Sequence, residues 1–309
     1  MIAVDRQRGL LLTLVTALMW GLLPVALKQV LTVMEAWTLT WFRFLVAALL
    51  IGAWLTVRGK TFVPVSLQRV PPRIWAVLLL CGLGLVSNYV LYLVGLDHIS
   101  PATAQLVIQL GPLLLAFSAA VLFRERVSSR QLVGVLFLSV GFLLFFKERL
   151  GELLTPGSGL ASGVLLIVAA AVTWVVYALS QRVLQDYFDT LKVLFFICAL
   201  GTVTVWPWAE PRELFELKTV AAWSLFIFCC INTIIAYGAF AESLKFWEAS
   251  RASAVLALTP VITMVTMLLA GILLPWWPHE EKVDGFVLIG GAIVVGGSVL
   301  VALGKPKSF

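Results

Sequence analysis

The sequence predicts an all-α polytopic membrane protein, with ten transmembrane helices arranged as two inverted five-helix repeats. Three observations carry that prediction. Of 309 residues, 61% are hydrophobic and only 12% are charged, with a mean hydropathy of +1.03, whereas a soluble domain carries about a quarter charged residues. The apolar residues fall in runs of about 17–25, the length at which a helix crosses a bilayer core. Finally, short stretches of the first half recur in the same order in the second.

Apolar runs between charged or Pro/Gly-rich breaks place the ten helices at residues 9–30, 37–57, 74–95, 101–123, 131–147, 159–181, 191–208, 221–242, 250–274 and 284–304. The first run resembles a signal peptide in its apolar core. It continues through Pro24 to Lys28 without a convincing cleavage site, so it reads as a retained span. Connections are short, and none has room for a soluble domain. The longest, around Arg58–Arg73, is basic and holds Pro64, Pro71 and Pro72. Cys81, Cys198, Cys229 and Cys230 all lie within apolar runs, which argues for small apolar fillers and against a disulfide framework.

Lysine and arginine set the orientation. With a cytoplasmic N-terminus, fifteen of the 22 fall in inside connections and six in outside ones, leaving Arg43 within a span. Both termini are therefore expected inside. Tryptophan agrees: Trp54, Trp75 and Trp247 lie near inner ends, and Trp37, Trp206, Trp208, Trp223, Trp276 and Trp277 near outer ends, where indole prefers the interface. Trp20 and Trp174 lie deeper. The net charge of +6 says little about nucleic acid, because the cations sit in the connections.

The internal repeat is traced by three matches. "ALMWGLLPVALK" (Ala17–Lys28) sets Trp20 on Trp174 in "AVTWVVYALSQR" (Ala171–Arg182). "ATAQLVIQLGP" (Ala102–Pro112) sets Pro112 on Pro260 in "SRASAVLALTP" (Ser250–Pro260), and the same offset brings Tyr89 onto Tyr237. "GVLFLSVG" (Gly134–Gly141) is similar to "GFVLIGGA" (Gly285–Ala292). Five spans per half is an odd number, so the second half, 151–309, is expected inverted relative to the first, 1–150. Inverted repeats are common in secondary transporters, with the substrate site near the midplane where the halves meet.

These residues carry a family resemblance. "WG" at Trp20–Gly21 followed by Lys28, "RF" at Arg43–Phe44, Pro112 followed by "FRERVSSRQLVG" (Phe123–Gly134), then Trp174, "SRAS" (Ser250–Ser253) and Pro260 resemble the EamA-type branch of the drug/metabolite transporter superfamily. The resemblance spans nearly the whole chain. It implies an inner-membrane exporter or exchanger of small metabolites, often amino acids or related compounds, with a cavity built from spans 1–4 and 6–9. One departure is the insertion "PWWPHEEK" (Pro275–Lys282) after span 9, so an inner-end role of Glu125 does not transfer to Glu280 or Glu281.

Arg43 is the costly residue, since a charge in a span costs about 2.5–3.5 kcal/mol on insertion scales. It lies some six residues below the outer end of span 2, roughly 9 Å at 1.5 Å per residue, and its side chain leans outward. Snorkelling to the outer interface, or bracing carbonyls loosened by Pro24, is preferred here over gripping a substrate carboxylate. Lys28 leans into the membrane, and pairing with Glu35 or Asp97 is preferred over a shared cationic vestibule with Arg43. Asn88, Tyr89, Tyr92, Gln105, Gln109, Asn232 and Tyr237 are candidate cavity residues on spans 3, 4 and 8, although any one of them can simply glue helices. Trp20 and Trp174 are candidate lining. Pro24, Pro112 and Pro260 are candidate hinges, with a static kink as the plain alternative.

No aspartate or glutamate lies deep in a span, so no buried relay for proton coupling is evident. No metal, cofactor or catalytic motif is recognisable, and an enzyme is not expected. The expected partners are a small-molecule substrate and the lipid bilayer, with no nucleic acid and a homodimer left open. The leading expectation is a bacterial inner-membrane transporter that exports or exchanges a small metabolite such as an amino acid by alternating access. The alternatives are a nucleotide-sugar or phosphorylated-metabolite carrier, which would want more deep cations than Arg43, and a receptor or assembly subunit without transport.

Overall fold

The computed structural model describes residues 2–59, 70–111, 113–115, 118, 128–243, 246–247, 249–273 and 285–303. The chain is helical throughout this range. The helices are α1 (Ile2–Val30), α2 (Ala36–Val57), α3 (Pro72–His98), α4 (Pro101–Val107), α5 (Ser129–Phe145), α6 (Gly159–Leu184), α7 (Thr190–Val205), α8 (Val220–Ser243), α9 (Ala249–Leu256), α10 (Thr259–Leu273) and α11 (Gly285–Leu303). Among the described residues seven segments are long and apolar enough to cross a membrane, or eight if α5 is joined to the short helical stretch that follows it at a 59° bend. Pro112, Glu125 and the "PWWPHEEK" segment lie outside the described residues.

Helix starts follow their caps. Ser100 and Ser158 accept hydrogen bonds from the main-chain N–H groups of Thr103 and Ala161, both at 3.1 Å, and Ser128 forms a reciprocal capping box with Gln131. Each of these satisfies a donor that has no partner within its own helix. Proline at the first position of α3 and α4 completes two more starts. Spans 4 and 9 depart from expectation: neither is one continuous helix. A turn at residues 108–109 follows α4, and one at 257–258 separates α9 from α10.

The halves pack through helix pairs that exchange with one another. α3 lies on α6 and α1 on α8; α1 touches α9 and α10, as α4 touches α6; α3 meets α7, as α2 meets α8. α2 with α7, α4 with α10 and α5 with α11 are their own counterparts. The exchange holds at single residues. With Trp20 set on Trp174 and Tyr89 on Tyr237, the contact of Asn88 with the Ala170 carbonyl becomes that of Ala236 with Thr16, which is hydrogen-bonded to the Ala236 carbonyl. Gly163 against Ile99 becomes Gly9 against Trp247 in the same way.

The last helix of each half corrects the sequence register. α5 and α11 cross at two glycine pairs, and a Cβ on either residue of Gly134–Gly297 would stand 2.7 Å from the partner's carbonyl oxygen, or 2.8 Å for Gly141–Gly290. These pairs exchange only if Gly134 stands on Gly290, five residues beyond its sequence match at Gly285. The glycine-and-valine composition of both helices gives many near-equal alignments, and only backbone contact selects one. Small residues allow this approach, which membrane helices rely on in place of hydrophobic burial.

Gly290→Ala forces backbone apart, since its Cβ would lie 2.6 Å from the Phe145 nitrogen. It is expected to destabilise the protein by about 1–3 kcal/mol, read as a lower melting midpoint in detergent. Gly296→Ala, with nothing within 4 Å, should leave the midpoint unchanged.

Candidate translocation cavity

The two helix breaks face one cavity. At each, the chain tightens into an i→i+3 turn: Gln109 donates to the Leu106 carbonyl at 3.0 Å and Leu258 to the Val255 carbonyl at 3.1 Å. The second break is followed directly by Pro260, which has no N–H to continue α9 into α10. Between the breaks lies a cavity of about 130 Å³. Interrupted helices at corresponding positions of two halves are the arrangement in which transporters build midplane sites.

Pro24 shapes the wall opposite. Lacking an N–H, it leaves the Trp20 carbonyl without its helical donor, and Gln105 supplies one, Nε2 to oxygen at 2.9 Å. The same amide accepts from the Tyr92 hydroxyl at 3.3 Å. Gln109 ties the breaks together: its nitrogen donates to Thr259 at 3.3 Å and its oxygen accepts from Ser298 at 2.9 Å. The nitrogen of Asn88 donates to the Ala170 carbonyl at 2.8 Å. These three amides line the cavity, yet their bonds hold its walls.

Arg43 is different. It is 2% exposed, its Nε donates to the Cys229 carbonyl on α8 at 3.2 Å, and its guanidinium lies 4.3 Å from the centre of the Tyr89 ring. This overturns snorkelling, because a carbonyl and a π-face within the bundle hold the cation and it need not reach the interface. The brace on the Pro24-loosened carbonyl is real but belongs to Gln105. Arg43 has no carboxylate partner among the described residues, whose ion pairs include exposed Arg149–Glu152 and Lys218–Glu216. A guanidinium carries five donors, and among the described residues Nε has an acceptor, the Cys229 carbonyl.

Buried polar atoms without a well-formed hydrogen bond gather near it. They are the hydroxyls of Thr40, Tyr89 and Thr233 and the side-chain oxygen of Asn232. Thr40 lies one turn before Arg43 on α2, Tyr89 lies beneath its guanidinium, and Thr233 lies one turn beyond Cys229 on α8. Such atoms are rare in folded proteins, and each needs an explanation. Tyr89 stacks on Phe44 at 4.7 Å, Tyr237 stands 5.7 Å from Tyr89, and Trp20 meets Tyr237 edge-on at 5.2 Å.

The cavity brings together Trp20, Asn88, Tyr89, Tyr92, Gln105, Gln109, Trp174 and Tyr237 of the expected lining, with Arg43 and Pro24. Asn232 stands outside it: it is 1% exposed and its nitrogen donates to the Met19 carbonyl at 2.8 Å. Lys28 also lies elsewhere and is no neighbour of Arg43 in a vestibule. Its Nζ donates to the carbonyls of Leu96 (3.1 Å) and Asp97 (2.7 Å), capping α3 through the main chain rather than pairing with a carboxylate. Sequence reasoning missed the apolar wall of Leu23, Leu27, Leu93, Ile108 and Leu256, and it missed Thr259. Thr259 was within reach, as the neighbour of a proline that the repeat had already singled out.

Known proteins agree with this architecture. The EamA-like transporter family matches residues 7–147 and again 161–303. The chain is 35% identical to the uncharacterized inner membrane transporter YhbE of Escherichia coli, over 96% of this chain and 91% of that protein. It is 33% identical to an uncharacterized transporter of Haemophilus influenzae, over 96% and 95%. A probable amino-acid metabolite efflux pump of Salmonella typhimurium is 24% identical, over 97% and 96%. One solved crystal structure shares the fold with a TM-score of 0.66 at 23% identity, over 96% of this chain and 97% of its own. The chain, all-helical with membrane-length apolar helices and matched by that family model in both halves, belongs to the EamA-like transporter family.

Proposed function

We propose that this protein is a bacterial inner-membrane secondary transporter that exports or exchanges a small carboxylate metabolite, such as an amino acid or a close relative, by alternating access. The observation that carries this is Arg43, a buried cation without a carboxylate partner among the described residues, on the wall of a cavity between two broken helices. A substrate carboxylate supplies the missing counter-charge and accepts the remaining guanidinium donors, bidentately where it lies in plane. The aromatic and leucine wall then receives the rest of the molecule.

The exchangeable packing of the halves supports two inverted repeats, 1–150 and 151–309, rocking about a shared site. The distribution of lysine and arginine supports cytoplasmic termini. The described relatives support the membrane, and the efflux pump supports both export and amino-acid chemistry, at the distance its identity implies. A carrier of phosphorylated compounds wants several cations, and the cavity wall offers one.

Exchange flux in proteoliposomes tests this. Purified protein loaded with unlabelled amino acids should take up labelled ones saturably. Arg43→Ala should weaken apparent affinity by about 10- to 100-fold, the worth of a charge-assisted hydrogen bond at roughly 1.5–3 kcal/mol. Arg43→Lys should retain an intermediate level. Normal flux in both correctly inserted variants would remove Arg43 from substrate contact.

Trp20→Ala is expected to shift apparent affinity about 2- to 10-fold, or to change preference among apolar side chains, with Trp20→Phe restoring most of it. Unchanged flux across substrates would mark Trp20 as packing alone.

A further inference from the structure

We infer that the cavity selects organic monoanions, a carboxylate on an apolar or aromatic body, and disfavours the zwitterion that carries an α-ammonium group beside the same carboxylate. This rests on the carboxylate reading of Arg43 and narrows it. Arg43 is the one charged side chain among the described residues that line the cavity, and no aspartate or glutamate shares that wall. The cavity therefore carries an uncompensated +1 when empty. A monoanion neutralises it, whereas a zwitterion leaves a second cation within a few ångströms of the first.

Several of the acceptors that an ammonium would use already take one hydrogen bond from the protein. The Gln105 oxygen accepts from Tyr92, and the Gln109 oxygen accepts from Ser298. The carbonyl freed by Pro24 accepts from Gln105, and the carbonyl beside Arg43, that of Cys229, accepts from Arg43 itself. The Tyr89 hydroxyl, on the cavity wall with Thr233 and Tyr237 in reach but no well-formed bond to either, is able to donate to a carboxylate. α10 begins at Thr259 on the cavity wall, so its N-terminal partial charge is also positive. An ammonium would meet neutral acceptors alone, the Asn88 oxygen and the phenols of Tyr89, Tyr92 and Tyr237 among them, with no carboxylate on the described wall to offset the Arg43 charge. Tyr237 and Phe240 already pack on Trp20, at 5.2 and 5.5 Å.

Two matched series decide the matter: 3-phenylpropanoate, phenylalanine, phenethylamine and 3-phenylpropanol, and 4-methylpentanoate, leucine, isoamylamine and 4-methylpentanol. Each is titrated against the purified protein by tryptophan fluorescence and by its shift of the detergent melting midpoint. The acids should bind at least about tenfold more tightly than the amino acids, with amines and alcohols silent. Arg43→Met, once shown to be folded by its melting curve, should lose that preference. If the amino acids equal or exceed the acids while the amines stay silent, the aromatic faces hold the ammonium. The monoanion inference then falls, and the Arg43 carboxylate reading stands. If amines or alcohols match the acids, or no compound in either series perturbs the protein, both fall together.

Discussion

Within a bilayer every main-chain N–H and C=O must find its partner inside the protein, because the hydrocarbon offers none. That constraint governs the middle of this molecule. Pro24 opens α1 at the Trp20 carbonyl, and the chain abandons regular helix at residues 108–109 and 257–258. Each opening has to be repaired from a neighbouring helix. Gln105 repairs the first, and Gln109, braced by Ser298 and bonded to Thr259, holds the two breaks against each other. The cavity exists because these repairs are made by long side chains reaching across a space, rather than by helices closing onto one another.

Arg43 belongs to the same economy of partners but is left incomplete. A buried charge in low dielectric is tolerated only when paired or richly hydrogen-bonded. Here the described residues provide one carbonyl bond at 3.2 Å and one aromatic face. The Tyr89 hydroxyl beside it, with Thr233 and Tyr237 in reach but no well-formed bond to either, shows the same incompleteness from another direction. A cation and several donors left short in one place is a stability cost that a purely structural arginine would not carry. In a transport protein such incompleteness is useful, because a ligand that completes the site is bound against a well-defined deficit.

Much of this was legible in the sequence, and the limits have physical causes. Apart from the start of α1, expected at residue 9 and found at Ile2, many helix ends were readable to within a few residues, because serine caps and prolines act locally: Ser100 before Pro101 and Ser158 before Gly159 mark their helices without tertiary help. The breaks were not visible as breaks, since Ile108–Gln109 and Ala257–Leu258 sit inside unbroken apolar runs; only Pro112 and Pro260 hinted at them. The fate of Arg43 was illegible for a different reason, and that of Lys28 only half legible, since Asp97 was named as its partner but through the carboxylate. Each is decided by a carbonyl far along the chain, Cys229 for Arg43 and Asp97 for Lys28, and no spacing rule reports which carbonyl a long side chain will reach. The α5–α11 register failed for want of distinctive side chains, and glycine contact alone fixed it.

The frame and the site differ in symmetry, and that difference says how one could serve the other. Trp20 stands on Trp174, Tyr89 stands on Tyr237 at the offset that sets Pro112 on Pro260, and both pairs line the cavity. The polar residues have no such echo: Asn88 stands on Ala236, Gln105 on Ser253 and Gln109 on Ala257. Aromatic residues are thus presented by both halves, while the charge and the amides come from the first half alone. On the alternating-access reading proposed above, rocking of two similar halves would present an apolar body to comparable indole and phenol surfaces in either state. A carboxylate held by Arg43 would, by contrast, stay with α2 throughout, so that the strength of that contact, more than the fit of the body, would set how readily such a substrate leaves.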